Sequence, residues 1–191
     1  MSQRQANDDD PLLDAARACV MAVGVRRTTL TDVAARAQVS RMTVYRRFPD
    51  VATLIQSLMT REFAAAVAGQ DGEPAGATGR ERFVASVING AQRLSEHPLF
   101  RRILDVDPEL ILPYVVQRYG AFQHAVLHDL GRRLAAVDDG SIRAADPAVL
   151  AATVELLLRG YVVGALAEPP PGGRPAVLEQ IATLLDQGLR P

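Results

Sequence analysis

Two helix starts eleven residues apart, with almost nothing between them, constrain this chain more than any other feature. Thr29 is followed three residues on by Asp32, the pattern of a capping box with Asp in place of Glu, and Leu30, Val33, Ala34 and Ala37 then hold one apolar face for about two turns. Ser40 is a second N-cap, and Val44, Phe48 and Met42 supply the apolar contacts of another short helix that Pro49 ends. Gln38-Val39 is the whole connection. Two helices this short, joined this tightly, predict a helix-turn-helix.

The flanking segments are helical too. Asp10 as cap and Pro11 as first residue open a helix through Leu12, Leu13, Ala16, Cys19, Val20 and Val23, with Gly24 at its C-cap. Before it, residues 1–9 are polar and acidic and read as a disordered tail. Asp50 caps a fourth helix through Leu54, Ile55, Leu58, Met59 and Phe63 to about Ala68, and Gly69 to Gly79 has loop composition. A helix from about Arg80 to Glu96 carries Phe83, Val84, Val87, Ile88, Ala91 and Leu94 on one side and ends at His97-Pro98. Asp107-Pro108 and Pro113 cut the next stretch into short pieces. A single long helix is then expected from about Tyr114 to Val137, with Val115, Tyr119, Phe122, Val126, Leu130 and Leu134 on one stripe. Asp146-Pro147 repeats the cap-then-proline start before a helix, Ala148 to Leu166, that is apolar nearly all round. A last helix uses Val177, Leu178, Ile181, Leu184 and Leu185 and ends at Gly188. No segment alternates as a strand does. The expected fold is all-α, with eight to ten helices divided into a tail (1–9), a helix-turn-helix domain (10–54) and a helical remainder (55–191).

Charge is uneven along a chain whose net charge is only −1. Between Pro11 and Val51 seven arginines (Arg17, Arg26, Arg27, Arg36, Arg41, Arg46 and Arg47) face three aspartates, while the rest is net acidic. A basic segment on a neutral chain is the footprint of a nucleic-acid-binding module joined to something with another task, although a solvated basic face has the same composition. All 21 basic residues are arginine, a coding bias that weakens arguments from any one arginine's identity. A single cysteine, Cys19, excludes an intramolecular disulfide and reads as a small core residue. No run of 18 apolar residues and no basic-then-apolar leader occur, so a cytoplasmic protein is expected.

The stretches Leu12-Leu13-Asp14-Ala15-Ala16, Thr28-Thr29-Leu30-Thr31-Asp32-Val33-Ala34 and Val39-Ser40-Arg41-Met42-Thr43-Val44-Tyr45-Arg46-Arg47-Phe48 together resemble the N-terminal domain of the tetracycline-repressor (TetR) family of transcriptional regulators, over about Pro11 to Leu58. A recognition helix enters the major groove by its N-terminal end, which brings Ser40, Arg41, Met42, Thr43 and Tyr45 near bases and backbone. Arg41 is the candidate for direct readout, because a guanidinium can donate two parallel hydrogen bonds to guanine O6 and N7, and Met42 can touch a thymine methyl. The resemblance implies phosphate contacts from Thr43, Tyr45 and Arg46, and from Thr29 and Thr31 at the start of the second helix, which set register rather than sequence. Tyr45 can alternatively be a half-buried core tyrosine.

Three positions depart from the family pattern. Gln38 stands where the turn usually has glycine, so either it adopts a left-handed conformation or the turn differs. Met42 replaces a residue that is often glycine, and Val51 a common phosphate-reaching lysine.

The resemblance further implies a homodimer reading an approximate palindrome of double-stranded DNA, with the last two helices forming a four-helix interface: Val154, Leu157, Leu158, Tyr161, Val162, Ile181, Leu184 and Leu185. It also implies a mostly apolar effector pocket, for which Ile88, Gln92, Phe100, Ile103, Leu104, Leu110, Tyr114, Arg118 and Phe122 are candidates. The expected function is a repressor released by a small molecule, with an activator or partner-binding regulator lacking that switch as the alternative. An enzyme or metal sensor rests only on His124 and His128, spaced i, i+4 beside Asp129, with no third or fourth ligand evident. No P-loop, dinucleotide fingerprint or nucleophile elbow occurs, and neither cofactor nor metal is expected.

Overall fold

Five of the described helices start where a short polar side chain meets the N–H groups that a first turn leaves unpaired. Thr29 accepts from the Asp32 N–H at 3.1 Å and Ser40 from the Thr43 N–H at 3.1 Å. Asp50 accepts from the Thr53 N–H at 2.7 Å, and Asp146 from that of Ala148 at 2.8 Å. Thr78 and Glu81 make a reciprocal capping box.

The computed structural model describes residues 3–68 and 76–191. Among these, ten α-helices follow in order: α1 (Gln3–Val23), α2 (Leu30–Arg36), α3 (Arg41–Arg47), α4 (Val51–Ala68), α5 (Gly79–Glu96), α6 (Pro98–Val106), α7 (Leu112–Val116), α8 (Ala121–Ala135), α9 (Pro147–Val163) and α10 (Gly173–Leu189), with 3-10 turns at Pro108–Leu110 and Gly164–Leu166. The fold is all-α.

Two compact units divide the chain. The first joins Met1–Glu62 with Pro98–Arg118, and the second joins Phe63–His97 with Tyr119–Pro191. In the first, α1 packs on α2 and α6, and α2 on α3. Leu12, Ala16, Cys19 and Val20 of α1, Leu30, Val33 and Ala34 of α2, Val44 of α3, Leu54 and Leu58 of α4, and Leu99 and Ile103 of α6 are all buried. Each such large apolar side chain contributes about 1.5–3 kcal/mol on leaving water. In the second unit α9 packs on α5 and α8, and α10 on α5. Its core includes Phe83, Val87, Leu130, Leu134, Leu150, Val154, Leu158, Leu178 and Leu185. Pro147–Leu166 is long and apolar enough by composition to cross a bilayer. Its buried residues, with Glu155 among them paired to half-buried Arg159, instead match a core helix.

Several sequence expectations are corrected. Helix α1 begins at Gln3, so residues 3–9 are helical where a tail was expected; Met1 and Ser2 lie outside the described residues. Pro11 sits inside the helix, where it removes one backbone donor without ending it. Asp10 accordingly does not cap: its carboxylate and carbonyl both accept from Arg61 Nη1, at 3.2 and 3.3 Å. The long helix expected over Tyr114–Val137 is interrupted between Val116 and Ala121. Gln123 Oε1 accepts from the Gly120 N–H at 2.7 Å and starts α8 afresh. Most of the loop expected at Gly69–Gly79 (69–75) lies outside the described residues, and α5 starts at Gly79 rather than Arg80.

Candidate nucleic-acid interface

The turn between α2 and α3 closes by backbone hydrogen bonds. Gln38 has φ +58°, the left-handed alternative of the two expected for it. That geometry lets the Gln38 N–H donate to the Ala35 carbonyl at 3.3 Å and the Val39 N–H to the Ala34 carbonyl at 3.0 Å, the two bonds of a Schellman C-cap. A glycine would adopt the conformation without the steric cost of a Cβ. The turn is therefore intact with glutamine in it.

From that turn α3 projects with its buried side anchored by Val44 and closed by Phe48. Ser40, besides capping, has its hydroxyl 2.8 Å from that of Thr43. Arg41, Tyr45 and Arg46 are exposed, and Met42 is 74% exposed, so its thioether stands in water with no core to fill. Tyr45 is 49% exposed and so is not enclosed in the core. Thr29 is exposed and its hydroxyl donates to Asp32 Oδ2 at 2.6 Å, while Thr31 is half-buried. Asp50, at the start of α4, has its carboxyl held below the usual range, first by the Thr53 N–H it accepts from and then by the Thr53 hydroxyl. Of the seven local arginines, Arg17 pairs with Glu62 at 2.9 Å and Arg26 with Glu109 at 2.7 Å. Arg27, Arg36, Arg41 and Arg46 are exposed. The protein thus presents guanidinium, hydroxyl and phenol groups along the exposed side of a short capped helix, the chemistry that phosphates and base edges recognise.

The residues expected to line an effector pocket divide between the two units. Phe100 and Ile103 are buried in the core of the first unit; Leu104, Leu110 and Tyr114 are half-buried there, and Arg118 is exposed with its guanidinium 5.4 Å from the centre of the Tyr114 ring. Ile88, Gln92 and Phe122 belong to the second unit, where Phe122 meets Phe63 edge to face at 5.6 Å and Gln92 donates to Glu96 at 3.1 Å. Among the residues expected at a dimer interface, Val154, Leu158, Val162 and Leu185 are buried in the protomer's own core, whereas Leu157 and Leu184 are exposed and Tyr161 and Ile181 half-buried. Val149 and Leu156, which the sequence did not single out, are exposed as well; their seven-residue spacing, with Leu157 adjacent, was the available signal. A groove of about 240 Å³ is lined by Gly160, Tyr161, Pro170, Arg174, Val177 and Ile181. His124 and His128 are exposed, His124 edge to face with Tyr119 at 5.8 Å, and Asp129 pairs with Arg132 and Arg133.

Comparison with known proteins agrees with this geometry. Residues 12–58 match the family described as bacterial regulatory proteins, tetR family. An uncharacterised HTH-type transcriptional regulator of Mycobacterium bovis is 34% identical over 86% of this chain and 85% of its own length. The fold is similar to that of the transcriptional repressor QsdR of R. erythropolis, from the TetR family, with TM-score 0.66, 16% identity and 97% of both chains covered. It is also similar to that of SmeT in its triclosan complex, with TM-score 0.61, 22% identity and 95% and 91% of the two chains covered. With its capped α2–turn–α3 unit, its family match and a relative 34% identical over most of both chains, the chain belongs to the tetR family of DNA-binding bacterial transcriptional regulators, which are not enzymes.

Proposed function

We propose that this regulator is a cytoplasmic homodimeric repressor that holds an approximately palindromic operator and is released by a mostly apolar small molecule. Residues 10–54 form its DNA-binding part and residues 55–191 its effector-binding and dimerisation part. The observation that carries the reading is the exposed side of α3, where Ser40 caps the helix and Arg41, Met42, Tyr45 and Arg46 are open to solvent. Arg41 reads a guanine, Met42 touches a thymine methyl, and Thr29, Thr31, Thr43, Tyr45 and Arg46 grip phosphates. One module of this size makes too few contacts for high specificity, and a two-fold dimer reading two half-sites remedies that.

The exposed apolar surface of α9 and α10, with Val149, Leu156, Leu157 and Leu184, supports dimerisation through those helices. An effector is supported by the triclosan bound to SmeT, a protein of similar fold. Within the first unit, half-buried Leu104, Leu110 and Tyr114 retain apolar surface to offer it.

Selection of binding sites from a random duplex pool tests the reading. The wild type is expected to enrich one palindrome, Tyr45→Ala and Arg46→Ala to weaken binding to all sequences, and Arg41→Ala to relax preference at one base pair per half-site, by about 1–3 kcal/mol. Unchanged preference in Arg41→Ala sinks that assignment.

A further inference from the structure

The exposed face of α3 accounts for contact with DNA, but not for what holds the start of α2 in place. That start hangs from a short corner. Gly24, at φ +85°, ends α1; the Thr28 N–H donates to the Val25 carbonyl at 3.1 Å and the Thr28 hydroxyl to the Gly24 carbonyl at 2.8 Å. Thr29 then caps α2. Two hydrogen bonds thus close the corner on itself, and an external anchor adds to them.

That anchor comes from 82 residues away, in the same compact unit. Asp107 is 3% exposed, and its Oδ2 accepts from the Val25 N–H at 2.7 Å. The carboxylate is aimed by its own backbone: the Asp107 N–H donates to the Ile103 carbonyl at 2.9 Å, and the Asp107 carbonyl accepts from the Leu110 N–H at 3.0 Å. A Cβ on Gly24 would lie 2.8 Å from this same oxygen and 2.9 Å from Val106 Cγ1, so the corner and the carboxylate are fitted to each other. Two flanking ties follow the same line: Arg102 Nη2 to the Ala22 carbonyl at 3.4 Å, and Arg26 Nε to Glu109 Oε1 at 2.7 Å.

We infer that Asp107 is a positioning residue for operator binding: its carboxylate clamps the Gly24–Val25 corner and thereby sets where α2 and the recognition helix α3 stand. The inference deepens the DNA-binding reading above and rests on it. The segment that carries the clamp, Pro98–Arg118, also carries Leu104, Leu110 and Tyr114. A displacement of the Val106–Glu109 corner is thus passed toward α2 through the buried Asp107–Val25 hydrogen bond, with the exposed Arg26–Glu109 pair beside it.

Asp107→Ala leaves the buried Val25 N–H without its acceptor, whereas Asp107→Asn keeps an oxygen there. The probes are the duplex enriched by the wild type and a random duplex of equal length, titrated at two salt concentrations. Asp107→Ala is expected to lose about tenfold or more for the enriched site, through loss of alignment between two half-sites, while its salt-dependent affinity for the random duplex stays within about twofold. Asp107→Asn is expected to hold within about threefold of wild type for both. Equal loss on both duplexes, or no loss on the enriched one, overturns the proposal. Should Asp107→Ala fail to melt cooperatively, Asp107→Glu is read by the same criteria, since its extra methylene displaces the corner while leaving an acceptor. In the wild type the Val25 amide is expected to exchange slowly with solvent deuterium. Exchange as fast as an open-turn amide overturns the clamp while leaving the DNA-binding reading intact, and a wild type that enriches no sequence fails that reading and the proposal with it.

Discussion

The Thr43 backbone N–H points at Ser40 Oγ from 3.1 Å, and the two side-chain hydroxyls lie 2.8 Å apart. The residue that starts the recognition helix is therefore tied to the first turn it caps, and the same two hydroxyls are candidates for DNA contact. Replacing Ser40 with alanine is expected to cost about 1 kcal/mol of stability in a urea melt, the usual value of a lost N-cap. Ser40→Asp, which keeps the cap, should restore that stability while weakening DNA binding by adding a negative charge where phosphates approach.

Gln38 holds its φ of +58° at the point where the turn requires a left-handed residue. Gln38→Gly removes the Cβ strain, and because the Schellman bonds are backbone bonds they survive the change. The expected outcome is a gain of about 0.5–1 kcal/mol in denaturant unfolding, the strain relieved less the added freedom of the unfolded chain. A loss of stability would mean that the glutamine side chain contributes a contact that offsets the strain.

Asp139 reaches back from the loop after α8 to the start of α5. It accepts from the Gly79 N–H at 2.6 Å and from the Ser141 N–H at 3.0 Å. Led by the Gly79 bond and then by Ser141, these interactions pull its carboxyl from 3.8 to about 2. A carboxylate with a depressed pKa favours the folded state above its unfolded value, and that contribution is lost as pH falls through the folded one. Protection of the Gly79 amide against exchange should therefore be constant above about pH 4 and fall toward pH 2. Asp139→Asn should show no such step.

On α9 and α10, neighbouring leucines serve different surfaces. Leu184 is 61% exposed, while Leu185 beside it is buried. Leu184→Asp is expected to shift the protein from dimer to monomer in light scattering with little change in helicity, since it adds a charge to an apolar face. Val154→Ala, in the core at 1% exposure, is expected instead to lower stability by about 1–3 kcal/mol and leave the oligomeric state alone. If Leu184→Asp remains a dimer, the interface lies elsewhere.

How much of this was legible in the residues depends on how far apart the interacting groups lie. Thr29, Ser40, Asp50 and Asp146 all cap as expected, because a cap joins a side chain to an amide two or three residues on. Gly24 was legible for the same reason, since a left-handed residue closing a turn is a local requirement, whereas for Gln38 the residues left two alternatives, of which the left-handed one is found. The all-α class followed from apolar spacing alone. What was misread depended on competition. Pro11 and Asp10 together look like a helix start, and Arg61, far along the chain, draws the Asp10 carboxylate away from that role. The stripe from Tyr114 to Val137 looks continuous, yet the Gln123 side chain makes a new start at Gly120.

Sequence periodicity by itself determined that this chain folds into helices and that two of them form a capped helix-turn-helix, since both are written in contacts within a turn or two. Only the tertiary structure decided which apolar residues of α9 face inward, because a helix apolar on nearly all sides has no preferred face until its neighbours are in place. It alone also brought Asp107 to Val25, since a hydrogen bond across 82 residues leaves no periodic trace and exists only once α1 and α6 are packed together.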